Sequence, residues 1–258
     1  MTTPRIYLPG NTHVGDIRTL DRENRHYLKS VLRMKTGDPL RLFNGTGMEY
    51  EALIRILETD GATVEITGQR VLPARTLSVT LAQGLSKADK MDFIVQKATE
   101  LGADRIIPFP AARSVPRLTP DRAETKTARW GKIAVEAARK CGRDGVPVIS
   151  EIMSFEDMLE EPGGTALKLI LWEEETETDL REIMHAGQYR DVRDFHVIVG
   201  PEGGLTGEEV ERAVDRGFIS VSLGNRVLKV ETAALAILSI LEYERGAARG
   251  KGGRSQQT

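Results

Sequence analysis

The chain has 258 residues, 36 Lys and Arg against 38 Asp and Glu, a formal net charge of −2, and 40% hydrophobic residues. That length allows one large domain or two moderate ones with a substantial core. The longest apolar run, 233–238, is far short of a membrane span, and the opening MTTPRIYLPG lacks the apolar stretch of a secretory signal, so the expectation is a cytoplasmic protein with no membrane contact. Cys141 is the single cysteine, which excludes an internal disulfide. The histidines at 13, 26, 185 and 196 show no ligand spacing, so no metal is expected.

Charge is spread unevenly. Residues 1–72 carry 10 Lys and Arg against 9 Asp and Glu, residues 73–150 carry 14 against 8, and residues 151–258 carry 12 against 21. The basic middle would attract a phosphate-bearing partner, although two solvated helix faces give the same count.

The first seventy or so residues read as a small β-rich unit with strands at 5–8, 39–43, 50–56 and 63–66, a turn at Asn44-Gly45-Thr46-Gly47, and one helix near 24–33. The stretch 69–76, with Pro73, is the best boundary. Beyond it strands and helices alternate, as in a parallel α/β sheet: strand 77–81, helix 89–101, strand 105–109, helix 120–141, strand 146–149. Gly102 and Gly142 fall just past the two helices, where a left-handed cap belongs. In the long helix Trp130, Ile133, Ala134, Ala137 and Cys141 recur at helical spacing, which makes Cys141 a core residue rather than a nucleophile. A short helix at 155–160 and a strand at 167–172 follow, and the strand runs into the acidic Glu173-Glu174-Glu175.

The chain is organised around its last third. A strand at 196–199 enters Gly200-Pro201-Glu202-Gly203-Gly204, and Thr206 with Glu209 three residues on gives a capping box for the next helix. A second strand, 219–223, turns at Gly224-Asn225 and leads through Arg226 to Lys229 into an apolar helix at 233–241. Either loop alone is an ordinary βα connection. Two of them about twenty residues apart point to a site for a polar or anionic ligand, because glycines let backbone N–H groups approach closely.

GPEGGLT followed by LGNRVLKVETAALAIL resembles the paired signature of the RsmE-type ribosomal RNA uridine methyltransferases of the SPOUT superfamily. The stretch HYLKSVLRMKTGDPLRLFNGTG is similar to the N-terminal domain of the same family. The resemblance spans about 5–245 and implies an α/β fold, with a SPOUT-type knotted parallel-sheet methyltransferase domain at 73–247 preceded by a small PUA-like β-barrel RNA-binding domain at 1–72. Physics alone would not predict the trefoil knot. The glycine-rich tail, 248–258, is expected to be disordered.

The same resemblance implies S-adenosylmethionine as cofactor, held by Leu171, Trp172, Gly200, Pro201, Glu202, Gly203, Gly204, Leu223, Gly224, Asn225, Leu228, Val230, Thr232 and Ala233, with Glu173 alongside. The acceptor implied is N3 of a uridine in 16S ribosomal RNA of the small subunit near the decoding region, and the protein is implied to be a homodimer. Arg226 would stabilise the uridine anion, and Glu231 or Glu202 would take the proton; each reads equally well as a member of a loop-ordering ion pair. Arg5, Arg33, Lys87, Lys90, Lys97, Arg113, Arg139, Lys140 and Arg143 are the expected RNA contacts, with Arg139 and Lys140 facing solvent. One departure stands out: where the family usually has Glu-Gln before Gly-Arg, this chain has Arg139-Lys140-Cys141 before Gly142-Arg143. The competing readings are a dinucleotide oxidoreductase, disfavoured because GPEGG is not GxGxxG and lies late in the chain, and a catalytically degenerate RNA-binding or ribosome-assembly protein of the same fold.

Overall fold

The computed structural model describes residues 3–58, 61–73, 75–114, 118–143, 145–161 and 164–246. The expected disordered tail and residue 74 of the expected boundary lie outside them. The chain divides into two compact units, one comprising Met1–Ala74 and Val135–Val146, the other Arg75–Ala134 and Pro147–Thr258.

The first unit contains β1 (Arg5–Tyr7), β2 (Ile17–Thr19), α1 (Arg22–His26), a π-helical turn (Tyr27–Val31), β3 (Pro39–Phe43), β4 (Met48–Leu57) and β5 (Ala62–Val71). Its sheet has the order β1-β3-β4-β5-β2, parallel between β1 and β3 and antiparallel elsewhere. Leu40 and Leu42 of β3, Ala52 and Ile54 of β4, and Val64 and Ile66 of β5 put alternate residues on one buried face with Ile6 and Leu28. The helix expected at 24–33 is instead α1 plus the π-helical turn, closed by Arg33 at φ 55°. β2 was not anticipated: it is three residues long and Ile17 is exposed, so it carries no alternation to read.

Two of the expected RNA contacts have other partners in this unit. The Arg5 side chain is only 10% exposed: its Nε donates to Glu49 at 3.0 Å, its guanidinium stacks on Phe43 at 3.7 Å, and one Nη donates to the Arg143 carbonyl at 2.6 Å. Glu49 also pairs with Arg70. Removing Arg5 or Glu49, the two buried members, leaves an uncompensated charge and costs about 3–5 kcal/mol. Arg139 does not face solvent. It lies 3.7 Å over the Tyr27 ring, pairs with Glu136 at 2.6 Å and is 8% exposed, whereas Lys140 is 68% exposed. The reason is that residues 135–146 belong to this unit, so the end of the long helix buries a second face that the Trp130 stripe does not reveal.

The second unit carries β6 (Ser78–Gly84), α2 (Ala88–Glu100), β7 (Arg105–Phe109), most of α3 (Pro120–Cys141), β8 (Val148–Ile149), α4 (Phe155–Leu159), β9 (Leu167–Leu171), α5 (Leu180–His185), β10 (Asp194–Val199), α6 (Gly207–Asp215), β11 (Ile219–Val221) and α7 (Val230–Arg245). Its six strands are all parallel, in the order β11-β9-β10-β6-β7-β8. β6, β9 and β10 are buried over most of their length, with little inside-outside alternation, because both sheet faces are covered. Trp130, Ala134, Ala137 and Ala138 are buried as the α3 periodicity requires, but Cys141, on the same stripe, is exposed in the terminal turn. Gly102 (φ 96°) and Gly142 (φ 77°) adopt the left-handed cap conformation. α5 was missed, although Asp179, whose side chain accepts from the Arg181 N–H, is an N-cap signal that could have found it. Among the described residues no helix is long and apolar enough to cross a membrane.

Candidate cofactor cleft

Beyond the carboxyl ends of β9, β10 and β11 lies a cleft of about 720 Å³. Its walls are the end of β9 with the acidic loop that follows, the glycine loop after β10, and the segment between β11 and α7. Crevices of this kind at strand carboxyl ends are where open α/β sheets bind ligands, and the volume is that of a small-molecule site. Of the expected cofactor residues, Leu171, Trp172, Gly200, Pro201, Glu202, Gly204, Leu223, Gly224, Asn225, Leu228, Val230 and Ala233 line it, as does Glu173. Gly203 and Thr232 do not.

The loop after β10 is built by several distant residues. Gly204 turns at φ 71°, its N–H donating to the Pro201 carbonyl at 3.0 Å. The capping box forms as expected, with Thr206 and Glu209 bonded reciprocally. Glu209, buried, also accepts from the Ala112 N–H at 2.8 Å. Gly203 is glycine for a reason unrelated to the cleft: a Cβ there would come within 2.9 Å of the Arg113 Cβ and 3.0 Å of its carbonyl oxygen. Arg113 in turn donates to the carbonyls of Gly203 and Leu205, at 3.3 and 3.4 Å, so this expected RNA contact braces the loop.

Lys90, also expected at RNA, lines the cleft and stands 3.5 Å from both Glu202 and Glu231. Glu202 accepts from the Lys87 N–H at 3.1 Å. Burial works against its ionisation, but the N–H groups of Glu202 and Lys87, the Ser86 hydroxyl and the Lys90 ammonium together hold its carboxyl below the ordinary value. Glu231 does not line the cleft. It sits in an adjoining recess with Phe93, Thr232, Leu235, Ala236 and Ser239 and reaches the cleft through Lys90. Arg226 lines the cleft mouth, exposed, with no hydrogen bond or ion pair among the described residues. On the opposite wall Glu175 is held ionised, first by the Ser220 hydroxyl, against the effect of burial, and then by the N–H groups of Glu177, Thr178 and Thr176.

The sheet beneath the loop holds a group that sequence reasoning left unexplained. His196 of β10 is buried, its ring edge-on to Phe218 at 5.2 Å, and its Nε2 has no partner among the described residues. Burial, with the charges of Lys168 and Arg105 adding and that of Glu161 opposing, pushes its pKa down to about 4.

A parallel α/β sheet with a cleft at its carboxyl edge, in a chain that also carries a separate, mostly antiparallel sheet, has the organisation of a small-molecule-binding domain with an accessory domain. The family model described as RNA methyltransferase domain matches residues 73–242, and that described as RNA methyltransferase PUA domain matches residues 20–67. The chain belongs to the RNA methyltransferase family. It is similar to the ribosomal RNA small subunit methyltransferase E of Bacillus subtilis, 35% identical over 88% of this chain and 90% of that one, and to its namesake from Rickettsia conorii, 33% identical over 91% and 93%. Among solved structures it resembles the ribosomal RNA small subunit methyltransferase E of Neisseria gonorrhoeae bound to S-adenosyl methionine, with a TM-score of 0.86 and 33% identity over 95% of this chain and 99% of that one.

Proposed function

We propose that this protein transfers a methyl group from S-adenosylmethionine to N3 of a uridine in 16S ribosomal RNA, near the decoding region of the small subunit. The observation that carries the reading is the cleft, walled by both glycine-bearing loops and the end of β9, in a chain whose relatives over most of their length are ribosomal RNA small subunit methyltransferases. The residues present fit the cofactor. The Trp172 indole N–H is buried without a partner among the described residues and belongs to a cleft-lining residue, so a ligand acceptor would satisfy it. Leu171, Leu223, Leu228, Val230 and Ala233 offer apolar contact, the backbone at 200–204 and 223–225 offers polar groups to a flat base and ribose, and the carboxylates of Glu173 and Glu202 suit a cation.

When bound, S-adenosylmethionine supplies an electrophilic methyl on a sulfonium. The protein's own work is positioning, charge and exclusion of water. N3 lies on the Watson–Crick edge and carries a proton, so the uridine has to be unpaired before it can react. Arg226, uncommitted at the cleft mouth, is the group we assign to the developing uridine anion. Glu231 and Glu202 share the Lys90 ammonium, and the Glu202 carboxyl is held below its ordinary value; Glu231 is the one we assign to receive the proton, through Lys90 or water.

For RNA the reading keeps Arg33, Lys87 and Lys140, which are exposed, and Lys97, which pairs only with Glu100 of its own helix. It takes residues 1–72 as a PUA-like barrel domain and residues 73–247 as a methyltransferase domain threaded into a trefoil knot, in a cytoplasmic enzyme. It makes the active form a homodimer, for which the recess of Phe93, Leu235 and Ala236 with exposed Thr232 and Ser239 gives α7 an apolar surface to cover. The test is direct. Calorimetry should show one S-adenosylmethionine per chain, and 16S ribosomal RNA from a deletion strain should lose one N3-methyluridine by mass analysis and regain it on complementation. Binding without any change in the nucleoside would turn the reading to a degenerate RNA-binding protein.

A further inference from the structure

Among the described residues, Gln83 is the one wholly buried polar side chain at the level of the glycine loop. It is the penultimate residue of β6, opposite Val199 in the parallel register, and is 0% exposed. Its Nε2 donates toward the carbonyl oxygens of Gly84 at 3.2 Å, Gly200 at 3.3 Å and Val199 at 3.4 Å, while its Oε1 has no partner. A buried amide with its acceptor unused is costly, and a leucine of similar size would fill the space without that cost. What a leucine cannot do is hold the carbonyls of Val199, the last residue of β10, and Gly200, the first residue beyond it.

The neighbouring backbone completes the seat. A Cβ on Gly84 would lie 2.6 Å from the Pro201 nitrogen and 2.9 Å from the Gly200 carbonyl carbon, so the loop rests directly on the bare backbone of β6. Further along the same segment Lys87 and Lys90 hold Glu202. The stretch 83–90 therefore grips the loop at its root and again at its third residue.

We propose that Gln83 is a positioning residue for the methyl-donor site, setting through Gly200 the placement of the loop that walls the cleft. The proposal rests on the assignment of the cleft to S-adenosylmethionine. It is tested in the full chain with Gln83→Leu and Gln83→Glu, using S-adenosylmethionine as the calorimetric probe. Two neutral hydrogen bonds of modest strength are at stake, so Gln83→Leu should bind about tenfold more weakly. Its KM for S-adenosylmethionine should rise by a similar factor, while kcat and the KM for RNA change little.

In Gln83→Glu, burial among carbonyls raises the carboxyl pKa, and the protonated acid can still donate. That variant should approach wild-type affinity at low pH and lose affinity as pH rises, a dependence that the wild type lacks. A purely structural role predicts lowered melting temperatures with unchanged affinity in the folded protein. That result, or equal losses toward S-adenosylmethionine and RNA, would overturn the proposal. If the wild type itself ignores S-adenosylmethionine, the assignment of the cleft fails first, independently of either variant.

Discussion

The two glycine-bearing segments that wall the cleft are built in opposite ways. The one at 200–205 is gripped from three sides, by Gln83 and Gly84 beneath, by Lys87 and Lys90 at Glu202, and by Arg113 at Gly203 and Leu205. The one at 223–229 is exposed from Gly224 to Val227, and among the described residues it is tied only at its ends, by two bonds between Ser222 and Gly224 at 3.1 Å each and by the Lys229 carbonyl, which accepts from the Ala233 N–H at 2.9 Å. Similar residue chemistry thus yields a preformed wall and an adjustable one. For an enzyme that must seat a small cofactor and then admit a nucleotide, the clamped segment suits the first task and the open segment the second.

The comparison can be broken most severely at Gly84. A valine there would press on the loop backbone, and overpacking against main chain that cannot yield costs about 1–3 kcal/mol or more. Gly84→Val should therefore melt several degrees lower and lose measurable S-adenosylmethionine affinity. A variant that binds normally would show that the grip is dispensable.

Acid should act on the clamped side next. The His196 imidazole takes a proton near 6.5 in the unfolded chain and near 4 when folded, so between those values the unfolded state binds more protons. Its contribution is complete above pH 6.5, declines as pH falls, and is lost by pH 4; the gap corresponds to about 3 kcal/mol. In urea melts across that range the wild type should lose about 3 kcal/mol relative to His196→Leu as pH falls. Parallel curves would remove His196 from the account.

Glu209→Ala removes three acceptor contacts, to the Thr206 N–H and hydroxyl and to the Ala112 N–H, and should cost about 1–3 kcal/mol, with Glu209→Gln recovering part of it. The open segment should respond least. Gly224→Ala meets nothing within 4 Å and suffers only from its φ of 109°, about 1 kcal/mol. Arg226→Ala should leave stability within about 0.5 kcal/mol and the KM for S-adenosylmethionine unchanged, while kcat falls at least tenfold. A large loss of stability in either variant would mean that the open segment is clamped after all.

Apart from β2 and α5, the strands and helices, their glycine caps and most of the cleft wall were legible because their signals are local: apolar runs, glycines at turns, a Thr and Glu at capping spacing. The residues that grip the loop were not. Gln83 and Gly84 matter only because β6 lies beside β10, and nothing in either stretch announces that pairing. For the same reason Lys90 and Arg113 read as basic residues for RNA when their partners are Glu202, Glu231 and the carbonyls of 203 and 205. Arg5 and Arg139 were misread for another reason. A charge count treats arginines as surface groups, and stacking on Phe43 and Tyr27 is invisible until tertiary packing brings the rings to them.

The pairing of β6 with β10 also sets an order in time. Gln83 and Gly200 are separated by 117 positions along the chain, with β7, β8 and β9 formed in between. Parallel pairing across so long an interval is intrinsically slow, since loop closure has to precede any reward from contact. Until Gly200 and the segment after it have been made, the seat has nothing to rest on it. The protein thus becomes able to capture its methyl donor only after β10 has docked on β6, and refolding from denaturant should regain donor binding after, not with, its helical signal.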